Sequence, residues 1–353
     1  MIGGTDLKPN RRILAVDVGA GTQDILLYEE GIPVENCVKL VIPSGTRLVA
    51  GKIAEATAAG RDIFLSGHLM GGGSSVRAMK NHLAVGLRVY AASDAAKTVR
   101  DDPREVEAMG VEIVEQCPDN ECQEIELQDI DLDRLGRALA LYDVSLPEIA
   151  AVAVQDHGEV IGRSNRKFRF EHWERFLENE GRLSDLIYRD NVPSYLTRML
   201  AVQKDAPGAF VMDTGAAAIR GALLDPAVGC HQEEGVLVVN VGNQHTLAAL
   251  VKGERIWGVF EHHTGLMNLD KLRDYLQRFV QGKVTNEEVY SDGGHGCAIL
   301  PDAPAPECFN FMAVTGPNRH VAKGLGYFAV PYGDMMLSGS FGLVAAVKEY
   351  LAR

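Results

Sequence analysis

The first sharp feature in the pattern of apolar and polar positions is Ile13-Leu14-Ala15-Val16, an unbroken apolar run that predicts a buried strand. Asp17-Val-Gly-Ala-Gly-Thr22 follows as a tight turn, and Ile25–Tyr28 reads as a second strand stopped by Glu30-Gly31-Ile32-Pro33. Val38–Ile42 makes a third. The turn glycines are expected to supply positive φ where the chain doubles back. Strand Asp62–Leu65, helix Ser74–Leu83 and strand Arg88–Ala91 come next. The acidic, breaker-rich stretch 94–133 reads as an insertion or peripheral subdomain. Helix Leu132–Tyr142 then precedes strand Ile149–Val154, a basic loop Arg163–Arg169, and helices near His172–Glu180 and Tyr195–Val202. Strand Ala209–Met212 leads into an alanine-rich helix, Ala216–Leu224.

The last third restarts the opening pattern. Val236–Asn240, a turn, Leu247–Val251 and Arg255–Phe260 repeat the three-strand meander, followed by helix Leu269–Val280, strand Phe309–Val314 and a long C-terminal helix, Met335–Leu351. Strands alternating with helices mean α/β, and a recurring hairpin implies two related domains.

Composition narrows the setting. The chain has 353 residues, 46% of them hydrophobic and 24% charged, ordinary for a globular protein and long enough for two domains. No apolar run approaches the roughly 18 residues of a membrane-spanning helix. MIGGTDLKPNRR has no apolar stretch of a secretory leader, so the expected location is cytoplasmic, with no membrane partner. A net charge of −13 argues against nucleic acid as a partner, although backbone N–H groups can cradle phosphates without net positive charge. The six cysteines form no CxxC and no CxxxCxxC. Cys117 and Cys122 are spaced slightly beyond a zinc knuckle, and His295, Cys297 and Cys308 offer further ligands; reduced, metal-free thiols are the simpler expectation.

The Asp17–Thr22 turn has three readings: a phosphate-binding hairpin, the cofactor turn of a methyltransferase or Rossmann protein, or a hairpin without a ligand. A Rossmann turn opens a helix, whereas Gln23–Tyr28 is too short for a crossover and the third fingerprint glycine is missing. That leaves the methyltransferase disfavoured and the hairpin preferred.

The opening hairpin resembles the first phosphate motif of the superfamily of sugar kinases, acetate kinases, Hsp70 chaperones and actin. Val238-Val239-Asn240-Val-Gly242-Asn-Gln-His-Thr246 resembles the second phosphate motif, with Asn240 in place of the usual Asp and Gln244 where many members have Gly. Val314-Thr-Gly316-Pro-Asn318, with Gly339-Ser-Phe-Gly342, resembles the adenosine motif. Phe210-Val-Met-Asp213-Thr-Gly-Ala-Ala-Ala-Ile219 resembles the strand and connecting helix before the second phosphate motif. The resemblance implies two ribonuclease-H-like domains, residues 1–224 and 225–353, closing on ATP and Mg²⁺ in a cleft between them. It implies nucleotide contacts at Asp17, Gly19, Gly21, Thr22, Asn240, Gly242, Thr246, Gly316, Asn318 and Gly339, with Gly316 and Gly339 against the adenosine and Mg²⁺ held by Asp17 and Asp213. The chain as a whole also resembles a prokaryotic family labelled pyruvate formate-lyase activating enzyme. The radical chemistry of that label requires a three-thiolate cluster, which the cysteine spacing does not supply.

The implied activity is an ATP-dependent phosphotransferase or ATPase acting on a small molecule or a partner enzyme, in which Asp213 or Asp156 positions the nucleophile. A nucleotide-gated activator with little or no hydrolysis is the alternative that Asn240 favours. Asp213 has a competing role as a helix N-cap. His157, Arg163 and His262 are candidate substrate contacts; loop solvation, a solvated charge run and packing are their respective alternatives.

Overall fold

The structure, a computed structural model, describes residues 11–118 and 121–353. Residues 1–10, which hold most of the segment read as lacking a leader, lie outside the described residues. The first half opens with β1 (Arg12–Val18), β2 (Thr22–Glu29) and β3 (Val38–Pro43), an antiparallel meander. A second, four-stranded parallel sheet then interrupts it: β4 (Ile63–Gly67), β5 (Val89–Ala91), β6 (Val111–Ile113) and β7 (Gln123–Leu127), in the order β6-β5-β4-β7. The excursion therefore takes in the strands and helices before residue 94 as well as the acidic stretch. The first sheet resumes with β8 (Ile149–Val154), β9 (Ile187–Tyr188) and β10 (Phe210–Asp213), giving the order β3-β2-β1-β8-β10-β9.

The second half repeats this plan. The strands β11 (Val236–Val241), β12 (His245–Lys252), β13 (Arg255–His263), β14 (Gly296–Ile299), β15 (Phe311–Thr315) and β16 (Tyr327–Phe328) lie in the order β14-β13-β12-β11-β15-β16. In each half the antiparallel meander is extended by a parallel strand beside its first member, β8 beside β1 and β15 beside β11. This doubled strand order is the paired ribonuclease-H-like plan that the motif resemblance implies. Among the described residues, no helix is long and apolar enough to cross a membrane.

The continuous apolar runs follow from layering. Ile13 and Ala15 face a central core shared with Val236, Val238 and Ala249 of the second sheet, whereas Leu14, Val16 and Val18 face an outer core with Met199 and Val202. A strand buried on both faces needs no polar alternation. Two helices fill the central layer: Thr214–Ala222, which leaves β10 and also packs on the second sheet, and Ser338–Tyr350, which returns to pack on β1, β2 and β8. They cross with almost no side chain between them. A Cβ on Gly342 would overlap the Ala217 carbonyl, and one on Gly221 would overlap the Ser338 backbone.

Local boundaries differ from expectation in one place that matters. Arg166, Lys167 and Arg169 of the basic run belong to a helix, Asn165–Glu178, rather than a loop, and only Arg163 precedes it, because Ser164 enters with extended backbone and Phe170, Trp173 and Leu177 recur at helical spacing to face the core. Arg169 is carried inward on that same face. Cys117 and Cys122 are joined as a disulfide, which corrects the expectation of free thiols there. Cys297 is a buried thiol whose pKa burial pushes up to about 12, and Cys308 lies 3.7 Å from Lys252 Nζ, so neither joins a metal-binding group with His295.

Candidate functional site

The two hairpin turns are built alike. In the first, Gly19 N donates to Thr22 O at 2.9 Å; in the second, Gly242 N donates to His245 O at 2.8 Å. Register then pairs Asp17 with Asn240, one residue before the end of β1 and β11 respectively, and Thr22 with His245. The glycines do not supply positive φ here, contrary to expectation. They supply close approach: a Cβ on Gly242 would sit 2.8 Å from the His245 carbonyl, and one on Gly21 would sit 3.0 Å from Asn243 Nδ2 in the opposite hairpin. The tips of the two turns thus meet across the halves.

Beside them lies a cavity of about 440 Å³. It is lined by Asp17, Gly19, Thr22, Asp156, His157, Asn240, Gly242, Gly316 and Gly339 among the sequence-derived candidates. The insertion contributes Gly71, Gly72 and Gly73 to the same wall. Six candidates are not on it. Gly21 is at the hairpin contact. Thr246 is buried and pairs with Thr264 at 3.0 Å; the position equivalent to Thr22 is His245. Asn318 acts one step back, donating to the Gly242 carbonyl at 3.0 Å and so bracing the second turn. Arg163 is on the surface with Glu171, and His262 is buried with Asp292, at 3.1 Å in each case. Asp213 is held in an ion pair.

That ion pair changes the meaning of Asp213. Arg169 Nη1 reaches Asp213 Oδ2 at 2.8 Å and Nη2 reaches Oδ1 at 3.2 Å, while Gly215 N donates to Oδ1 at 2.9 Å as the helix cap. Arg169 Nε also binds Glu261 Oε2 at 2.6 Å. Burial opposes the Arg169 charge, but Asp213 and Glu261 outweigh it and hold its pKa above the ordinary value. Burial also works against the Glu261 charge, yet Arg169 holds that carboxyl well below its usual range. A carboxylate so engaged is a poor Mg²⁺ ligand and a poor general base. Asp156 is engaged as well, accepting from Gly158 N at 2.9 Å and Met199 N at 3.0 Å; burial nevertheless raises its pKa to about 6.

Asp17 and Asp24 are different. They are register partners on β1 and β2, both buried, and neither pairs with a cationic side chain among the described residues. Thr214 Oγ1 donates to Asp17 Oδ1 at 2.5 Å, whereas Asp24 Oδ1 is buried with no hydrogen-bond partner. Burial raises both pKa values to about 7, and their mutual repulsion adds to the shift of Asp24. Paired oxygen donors with uncompensated charge fit a hard divalent cation such as Mg²⁺. Gly339 borders the cavity, and its missing side chain makes room for the Asp17 carboxylate. Gly316, at φ +99°, similarly makes room for Asn240 Oδ1.

Several cavity residues had not been singled out from sequence. Arg198 holds Asp129 through Nε at 2.7 Å and Nη2 at 2.9 Å, joining the insertion's exit to the first half. His245 Nδ1 lies 3.0 Å from Glu261 Oε1 without an aligned hydrogen bond, and His157 Nε2 lies 3.0 Å from His295 Nε2. Burial first, and then Arg169, lowers the pKa of His157 well below its ordinary value; burial lowers that of His295 to about 3.

Residues 70–321 match the family model described as "Putative pyruvate format-lyase activating enzyme (DUF1786)". No curated protein matches the chain. Among solved structures, the chain is similar to the Aquifex aeolicus PPX-GPPA enzyme at 13% identity, covering 87% of this chain and 68% of that one, with a TM-score of 0.26. It is also similar to the ROK hexokinase of Thermus thermophilus at 12% identity (96% and 99% covered, TM-score 0.31). MreB 5 of Spiroplasma citri, solved with AMPPNP bound, matches at 10% identity (97% and 98% covered, TM-score 0.35).

Proposed function

This chain belongs to the DUF1786 family, and we propose that it binds ATP with Mg²⁺ between its two halves, as an ATP-dependent phosphotransferase or ATPase acting on a small molecule or a partner enzyme. One observation carries the reading. Two equivalent glycine hairpins, one from each half, border a single cavity beside two buried carboxylates that pair with no cationic side chain among the described residues. Backbone N–H groups of the turns would receive phosphate oxygens. Asp17 and Asp24 would hold Mg²⁺, which neutralises phosphate charge when bound. Glycine at 19 and 242 keeps each turn tight enough to sit in the wall, and Asn318 fixes the second turn from behind.

Turnover needs a group to position the nucleophile, and the engagement of both candidate carboxylates supports a second reading beside the first. Asp213 is neutralised by Arg169, and Asp156 spends both oxygens on backbone N–H groups. A nucleotide-gated binding or activating protein with little hydrolysis accounts for both. Radical activating chemistry has no support in the thiols, since Cys117 and Cys122 are bonded to each other and the remaining four are dispersed in sequence.

A thermal-shift panel separates the readings, because a ligand that binds only the folded state raises its apparent stability. ATP–Mg²⁺ is expected to raise Tm by several degrees and S-adenosylmethionine to leave it unchanged. Stabilisation by the methyl donor alone would overturn nucleotide binding. Coupled measurement of ADP release then distinguishes an ATPase from a slow, gating protein.

A further inference from the structure

We propose that His157, His245 and His295 form a binding site for one divalent transition metal ion of the imidazole-preferring class, such as Zn²⁺, in the wall of the interdomain cavity. The site is separate from the Asp17 and Asp24 carboxylates and does not rest on the nucleotide reading. Its three rings come from different places in the chain. His157 is on the loop after β8 in the first half, His245 opens β12, and His295 immediately precedes β14. One nitrogen from each ring lies within 4.8 Å of the other two. Around a tetrahedral Zn²⁺, with bonds of about 2.0–2.1 Å, ligand nitrogens stand roughly 3.4 Å apart, so ring shifts of less than about 1 Å close the set.

Three further observations point to a cation rather than to a self-satisfied histidine cluster. First, Nδ1 of His295 is buried with no hydrogen-bond partner among the described residues. The 3.0 Å approach of His157 Nε2 to His295 Nε2 allows only one shared proton, and whichever ring carries it, Nδ1 of His295 stays unsatisfied. Second, the charge behind the rings does not balance. One guanidinium, Arg169, serves two carboxylates, Asp213 and Glu261, leaving one net negative charge in a buried setting. Third, Glu261 Oε1 stands against His245 Nδ1 and is itself fixed by Gln155 Nε2 at 2.8 Å. A carboxylate behind a ligating imidazole is the usual means of orienting it.

His157 and His245 also line the cavity. Three protein ligands with an open side toward a cavity is the donor pattern of a metal that keeps a position for an exogenous ligand, not of a closed structural site. Because the ligands come from both halves, the ion would also tie the halves together.

The test uses full-length protein without a histidine tag, stripped with EDTA and titrated with Zn²⁺ against a chromophoric chelator in millimolar Mg²⁺ and no nucleotide. One Zn²⁺ per chain is expected, and Co²⁺ in its place should give the intense visible absorption of a low-coordinate nitrogen site. His157→Gln, at a partly exposed position, should remain folded by circular dichroism. It should lose Zn²⁺ affinity by at least the roughly 10–100-fold that removing even an outer partner costs. His320→Gln, at an exposed position, should bind as wild type. Wild-type Zn²⁺ affinity in folded His157→Gln would overturn the proposal. So would a wild-type protein that binds no Zn²⁺ and gives only the weak spectrum of hydrated Co²⁺.

Discussion

Asp17 and Asp24 are buried carboxyl groups in register with no cationic side chain paired to either among the described residues, and that fixes what should happen as protons or cations are supplied. Both side chains have pKa values raised from 3.8 to about 7 in the folded protein. Between about pH 4 and pH 7 the native state therefore binds more protons than the unfolded chain, and the contribution of these groups to stability falls as pH rises. Asp17→Asn removes one of the charges. We expect it to melt higher than wild type at pH 8, by roughly 1–3 kcal/mol of stability, with the gain shrinking toward pH 4. The same variant should lose Mg²⁺-dependent nucleotide binding. A lower Tm at pH 8 with normal ATP–Mg²⁺ binding would make Asp17 structural. Asp17 was legible because a carboxylate between an apolar run and a glycine turn is conspicuous. Asp24 was not, since its significance comes only from the register that sets it opposite Asp17. Glu261 does leave a sequence signal, since a buried acid in β13 is expensive unless it is paired, but its partner Arg169 sits in a basic run whose pattern is that of a solvated surface.

At the scale of elements, the hairpins and most helices followed from apolar runs and breakers, because strands covered on both faces leave unbroken hydrophobic segments. The crossing of the Thr214–Ala222 and Ser338–Tyr350 helices could not be read this way. Gly221 and Gly342 look like ordinary helix-weakening residues in sequence; their reason is that each faces the other helix's backbone. Gly342→Val should therefore cost about 1–3 kcal/mol or more through overpacking, lowering Tm by several degrees. Glycine kept merely for local flexibility would give an unchanged or raised Tm on substitution. Gly339 belongs to the same helix, but its contact is with Asp17. Gly339→Val is accordingly expected to displace that carboxylate, weakening Mg²⁺-dependent binding more than Mg²⁺-independent binding. An equal loss with and without Mg²⁺ would return Gly339 to a direct contact with the nucleotide.

For the molecule as a whole, the duplicated sheet order places chemistry between halves rather than within either one. The insertion approaches the second half as well, since a Cβ on Gly73 would sit 3.2 Å from Gln244 Nε2. Sequence spacing conveyed the duplication but not the convergence of His157 with His245 and His295, which depends on how the two halves face each other. The central claim is that ATP and Mg²⁺ bind in the cavity where the hairpins meet. Isothermal titration of ATP into EDTA-stripped protein at pH 7.5, with and without millimolar Mg²⁺, tests it most directly. The account predicts one site per chain, an affinity at least about tenfold higher with Mg²⁺, and loss of that Mg²⁺ gain in Asp17→Asn. No heat of binding in wild-type protein, or an affinity indifferent to both Mg²⁺ and Asp17, would contradict it.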